Sequence, residues 1–138
     1  MASVAALYTP AVLALATGLA DYPLTDSLPL RGSARSATCG STIELGLMLD
    51  HDARIAAVGV RAHACAIGQA AAAVFAGAAP GADPAEIAAT LAGLERWLAG
   101  EGPLPGWPGL GAIAAARDHR GRHGAITLPW RAALAALS

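Results

Sequence analysis

Cys39, in SATCGST, and Cys65, in RAHACAIGQ, are the two cysteines of the chain. Each stands beside small residues, and a segment that reads as a β-hairpin separates them. Cys39 falls in a Thr-Cys-Gly turn between two strands. Cys65 falls where a strand hands over to a helix. A thiol at a helix N-terminus meets the partial positive end of the helix dipole, which favours thiolate. Arg61 and His63, just upstream, add to that. If the strand before Cys39 pairs into the same sheet, both sulfurs reach one end of the hairpin. Two thiolates so placed can ligate a soft metal or an iron–sulfur cluster, carry transferable sulfur, or cycle to a disulfide.

The residues alone leave a plainer alternative open. Free cysteine also packs as a small hydrophobe, and the spacing contains neither CxxC nor HExxH. A lone His63 is as readily a surface residue as a ligand. His119 and His123 stand in RDHRGRHG, which also reads as a solvated loop. Ser36 and Ser41 lack the His and Asp partners of a nucleophilic serine. The glycine-rich GPLPGWPGLG carries no phosphate-loop lysine and reads as a series of turns.

The elements that must position the thiols are legible in outline. Val4 to Leu19 reads as a helix, with Pro10 near its start or marking its first turn. DYPLTDSLPL is a connector, and Arg31 to Ala37 a short polar strand. Ile43, Leu45, Leu47 and Leu49 alternate with Glu44, Gly46 and Met48, which predicts a strand with one buried face. DHDA is a turn, and Ile55 to Ala62 returns as the next strand, with Val58, Val60 and Ala62 on one face. CAIGQAAAAVFAG predicts a helix closed by Gly77 as its C′ glycine. The following helix is marked by Asp83 as N-cap, Pro84 at the first position, Glu86 as a capping-box partner and Gly100 after its end. Ile87, Leu91, Leu94 and Leu98 form its apolar stripe. Two short helices are expected near Leu110 to Arg117 and Leu128 to Leu137. The order predicts an α+β fold, a small antiparallel sheet of about three strands covered by helices.

Composition narrows the function classes. A chain of 138 residues without a linker or internal repeat predicts one domain, 1–138. Charged residues are 14% and hydrophobic residues 55%, which argues against disorder. Aromatics are only 4%, so the core must come from Leu, Ile, Val and Ala. The net charge of −1, with every cation an arginine, gives no electrostatic case for nucleic acid. No stretch reads as a membrane span. The apolar N-terminus lacks a basic n-region and reads as a packing helix rather than a cleaved signal. Two cysteines fit a reduced, cytoplasmic chain better than a disulfide scaffold.

At the cysteines the sequence resembles the U-type iron–sulfur scaffold family (IscU, the NifU N-terminal domain, SufU). The similarity runs over nearly the whole chain. LYTPAVL resembles the family's opening helix, and Tyr22-Pro23 falls where the family often has Asn-Pro. ATCGSTIELGLMLD resembles its first cysteine motif, Cys-Gly-Asp followed by an alternating strand. IAAVGVRAHACAIGQAAAAVFA resembles its second, a strand ending in Gly-Cys before a small-residue helix. RHGAITLPWRAAL resembles its third, Arg-x-x-Cys-x-x-Leu-x-Trp-x-Ala-Leu. Gly102 to Gly121 resembles the insertion that distinguishes the SufU branch.

The family's ligand set is only half retained. Ser41 stands in place of its aspartate and Ala125 in place of its third cysteine. The resemblance implies an iron–sulfur assembly protein that acts as scaffold or sulfur acceptor, with a cysteine desulfurase as partner. It implies iron, zinc or a 2Fe–2S cluster bound through Cys39 and Cys65. Its chemistry would be ligation and persulfide transfer, with Cys65 as the catalytic thiol, rather than turnover of a small substrate. Three resolutions of the missing ligands stand open. His63 or His123 completes the metal set, two subunits of a homodimer each donate two thiolates, or the site is lost. The last leaves a non-metal interaction or regulatory homologue, or a redox protein using the Cys39/Cys65 pair.

Overall fold

The structure, a computed structural model, describes residues 7–37 and 39–138. Residues 4–6 of the first expected helix lie outside that range. The expected sheet is present and antiparallel, with strands β1 (Leu30–Arg35), β2 (Thr42–Leu49) and β3 (Ile55–His63) in the order β1-β2-β3. Thr42 pairs with Arg35 on one side and His63 on the other. The β1–β2 turn and the exit from β3 therefore share one end of the sheet.

The period-two pattern sends Ile43, Leu45 and Leu47 into the core. It breaks at a bulge between Met48 and Leu49, where the register skips a residue of β3. Leu49 is only half-buried, which departs from the four-residue face expected of β2. Gly46 and Gly59 lie on the opposite face, against Leu24, Leu28 and Pro23 of the connector.

Helices cover the other face. They are α1 (Pro10–Gly18), α2 (Ala66–Ala78), α3 (Pro84–Leu98) and α4 (His123–Leu137). α4 lies over β1 and β2, and α2 lies against β3 and α4. α1 packs on α2, and α3 on α4. Pro10 is the first residue of α1, behind a Thr9 cap whose hydroxyl accepts the Val12 N–H. Asp83 caps α3 by accepting the Glu86 N–H at 2.8 Å, as its sequence predicts. Ala70 to Ala73 and Ala76 are all buried, so α2 meets its neighbours through methyl groups. Bulk is concentrated at Phe75, Trp107 and Trp130, whose ring centroids are each 5.5 Å apart. The Trp107 indole N–H donates to the Val74 carbonyl, which ties the Pro/Gly segment to α2.

Three local expectations are corrected. Gly77 lies inside α2, which ends at Ala78 with a right-handed Ala79 cap; the left-handed glycine is Gly81. The segment Leu110–Asp118 is a 3-10 run, not an α-helix, and a second 3-10 turn, Arg120–Arg122, follows it. α4 begins at His123 and runs through Pro129 rather than starting at Leu128. Pro129 removes a bond to the Ala125 carbonyl in the helix's first turn. Burial of every residue from Ala125 to Trp130 outweighs that loss.

Candidate functional site

The first thiol sits in the β1–β2 turn. The Ser36 N–H donates to the Ser41 carbonyl at 2.8 Å, and the Gly40 N–H to the Ser36 carbonyl at 3.0 Å. Gly40 takes φ 70°, the left-handed conformation such a turn requires. Ser36 and Ser41 are buried. The half-buried Cys39 thiol donates to Ser41 Oγ at 3.1 Å. Burial pushes the Cys39 thiol up, but hydrogen bonds with Ser36 and Ser41 and the positive charge of Arg122 outweigh it. The net pKa lies below the ordinary thiol value. Arg122 Nε is itself buried without a hydrogen-bond partner.

The second thiol caps α2. Cys65 has φ −64° and ψ 171°, and its side chain makes no capping bond. Its carbonyl accepts the Gln69 N–H, while the Gln69 side chain donates to the Ala64 carbonyl. Those two bonds fix the path of the chain into the helix. Both cysteines are free thiols.

The first turn of α4 approaches the second thiol. A Cβ built on Gly68 would lie 2.7 Å from Ala64 Cβ, 3.4 Å from Ala125 Cβ and 4.0 Å from Cys65 Sγ. Ala125 and the Cys65 sulfur therefore border the same point on α2. Arg122, three residues before Ala125, is the residue whose charge acts on Cys39. The strand register sets the turn that carries Cys39 and the exit of β3 toward Cys65 at one end of the sheet.

The histidines have other surroundings. His63 is exposed at the end of β3 and borders a groove with Arg35, Arg61 and Glu44. Arg61 and Glu44 pair there at 3.1 Å. His123 Nε2–H donates to the Arg117 carbonyl at 2.6 Å, and the residue borders a cleft with Glu95 and Arg120. His119 Nε2 is buried without a partner. Among the described residues, no group of three or more His, Cys, Asp or Glu side chains is placed to hold a metal ion. Tetrahedral zinc or a 2Fe–2S cluster takes four ligands. Ser41 and the methyl group of Ala125 do not supply the thiolate or carboxylate that such a group needs, so the residues of one chain do not fit it.

Three contributors, Ser36, Ser41 and Arg122, have roles that the sequence does not mark. Ser36 and Ser41 read from sequence as serines without nucleophilic partners, and Ser41 also as the stand-in for the family's aspartate; in the structure they are partners of a thiol. Arg122 stood in the third motif without a role. The signal was the pair of hydroxyl residues bracketing Cys39, since a serine hydroxyl can donate to sulfur as well as accept from it. Iodoacetamide modification of Cys39, followed against pH in Cys65→Ser, is expected to rise at lower pH than for an ordinary thiol. Arg122→Gln should move that curve upward; an unmoved curve would remove Arg122 from the site.

No protein-family model matches the sequence, and no curated protein matches it significantly. Comparison with solved structures is informative. The chain has the α+β fold of NifU N-terminal-like and SufU iron–sulfur scaffold proteins. The N-terminal NifU-like protein of Brucella abortus superposes with TM-score 0.85 and 25% identity, over 95% of this chain and 92% of that one. A putative iron–sulfur cluster assembly scaffold protein for the SUF system of Fervidobacterium islandicum superposes with TM-score 0.84 and 18% identity, over 97% and 99%. Among the described residues, no helix is long and apolar enough to cross a membrane.

Proposed function

We propose that this chain is an iron–sulfur cluster assembly protein that accepts sulfur on Cys39 from a cysteine desulfurase in the cytoplasm. Iron and the cluster are cargo of the assembly pathway, and one chain alone does not retain them. The carrying observation is a thiol with a lowered pKa, held by Ser41 and acted on by Arg122, at the cysteine end of a scaffold fold. A thiolate is the nucleophile in sulfur exchange. The Cys39 thiolate attacks the outer sulfur of the desulfurase's cysteine persulfide. That S–S bond breaks, the desulfurase cysteine leaves as thiolate, and the sulfane sulfur with its proton stays on Cys39. The resemblance implies Cys65 as the catalytic thiol; in this proposal Cys39 is the entering nucleophile and Cys65 the second thiol.

The test combines the chain with a cysteine desulfurase and cysteine under anaerobic conditions. Cys65→Ser is expected to gain the mass of one sulfur atom, mapped to Cys39, and Cys39→Ser to gain none at that position. Transfer that is unchanged in Cys39→Ser refutes the assignment. Iron, zinc and sulfide analysis of anaerobically isolated protein then reports whether any cargo stays bound.

A further inference from the structure

We infer that Cys65 resolves a persulfide on Cys39, releasing hydrosulfide and closing a Cys39–Cys65 disulfide, so that the chain delivers its sulfur as free sulfide. The inference rests on the sulfur-acceptor function proposed above. Its starting point is what surrounds the sulfur. A four-ligand site would hold an incoming sulfur among metal ligands. Here two of those positions are Ser41, a hydroxyl, and Ala125, a methyl group. Neither is a soft ligand, and neither can be oxidised by a persulfide. Cys65 can be, and it leaves β3 at the sheet end, set by the pairing of Thr42 with Arg35 and His63, that also carries the Cys39 turn.

The chain beside Cys39 is open. A Cβ built on the adjacent Gly40 would meet nothing within 4 Å, so the loop tip is not wedged into packing. Cys65 is fixed by contrast, at a helix start held by Gln69. Its side chain makes no capping bond that attack would break. Beside Cys39, the Ser41 hydroxyl can rotate to donate a hydrogen bond to sulfur once the thiol proton is gone. Arg122 Nε–H is a buried donor without an acceptor, which suits an anionic sulfur in that region.

The step balances without an added oxidant. The Cys65 thiolate attacks Cys39 Sγ, and the bond from Sγ to the outer sulfur breaks. Hydrosulfide leaves with that electron pair and its proton. The sulfane sulfur is reduced to sulfide, and the two cysteines are oxidised to one disulfide. Hydrogen sulfide is more acidic than an alkyl thiol, so its conjugate base, hydrosulfide, is the better leaving group. A dithiol reductant returns the chain to its starting state.

Inorganic polysulfide, as the sulfane donor, tests this without any desulfurase. The reduced chain is loaded briefly, desalted anaerobically, and followed by sulfide assay and intact mass. The parent is expected to release one sulfide per chain and settle at a mass two hydrogens below the dithiol. The rate should be first order and independent of protein concentration. Cys65→Ser, or Cys65→Ala should the serine variant not fold, should keep the added sulfur until an external thiol is supplied. The inference is overturned if the parent keeps its added sulfur as long as the variant does. It is also overturned if the sulfur maps to Cys65 as a stable persulfide, or if the disulfide joins two chains. Failure of desulfurase transfer with normal resolution of the chemically loaded persulfide would count against the acceptor function alone.

Discussion

Gly32→Ala is expected to destabilise the protein by at least about 3 kcal/mol, the upper end for overpacking, and to abolish a cooperative unfolding transition if the native margin is small. A Cβ at Gly32 would lie 2.2 Å from the Ala132 carbonyl oxygen, 2.4 Å from Ala136 N and 3.0 Å from Ala136 Cα. These are backbone atoms of α4, so no side-chain rotamer can relieve the contact. β1 and α4 would have to separate, and Trp130, Ala132, Ala133 and Ala136 would lose their packing. Domains of this size keep about 5–15 kcal/mol in total, so the substitution removes a large share. Gly18→Ala is the matched control. It meets no atom within 4 Å at the end of α1, and the lower entropy of its unfolded chain should stabilise by about 0.4–1 kcal/mol. Urea midpoints of the two variants should move in opposite directions. Equal midpoints for Gly32→Ala and the parent would mean that β1 and α4 are not in contact.

The same contact explains which parts of the fold were legible in the sequence. Strands β2 and β3 were, because one buried face imposes a period of two on Ile43, Leu45 and Leu47. α3 was, because Asp83, Pro84 and Gly100 each answer a local backbone requirement. The start of α4 was not. Pro129 is a local signal for a beginning, and only tertiary burial of Ala125 to Trp130 carries the helix past it. Gly77 misled for a related reason. Its left-handed capacity goes unused inside α2, where its ordinary helical conformation leaves the turn to Gly81. The bulge at Met48/Leu49 has no signature in residue type at all.

The site divides along the same line. The placement of Cys39 and Cys65 at one sheet end follows from hairpin connectivity, which the alternation reveals. Arg122 and Ala125 come to that end only through the docking of α4, roughly sixty to ninety positions along the chain from the thiols. No local pattern encodes such a contact. The resemblance to a three-cysteine family supplied Ala125, and nothing in the spacing would have done so.

Ala125→Cys is expected to convert the pair of thiols into a zinc site and to tighten zinc binding about a hundredfold. Structural zinc sites bind with about 10–16 kcal/mol across four ligands, which is roughly 3 kcal/mol for each. At about 1.4 kcal/mol per decade, one added thiolate gives that factor. The geometric ground is Gly68, since Ala125 Cβ and Cys65 Sγ border one point of α2 at 3.4 and 4.0 Å from its built Cβ. A sulfur on Ala125 enters a fully buried position, and overpacking there costs about 1–3 kcal/mol in the metal-free protein. Zinc should reverse that cost, because a ligand that binds only the folded state raises its stability. The variant should therefore melt lower than the parent without zinc and higher with it. Acidification should weaken binding, since each thiol must lose its proton before it ligates. Cys39, with its lowered pKa, should keep its thiolate to lower pH than an ordinary thiol. Ala125→Ser, which adds similar bulk without a soft ligand, should show the stability cost and no zinc rescue. The measurement is a competitive titration against a chromophoric chelator at several pH values. A folded Ala125→Cys that binds zinc no more tightly than Ala125→Ser would show that α4's first turn does not lie between the two thiols.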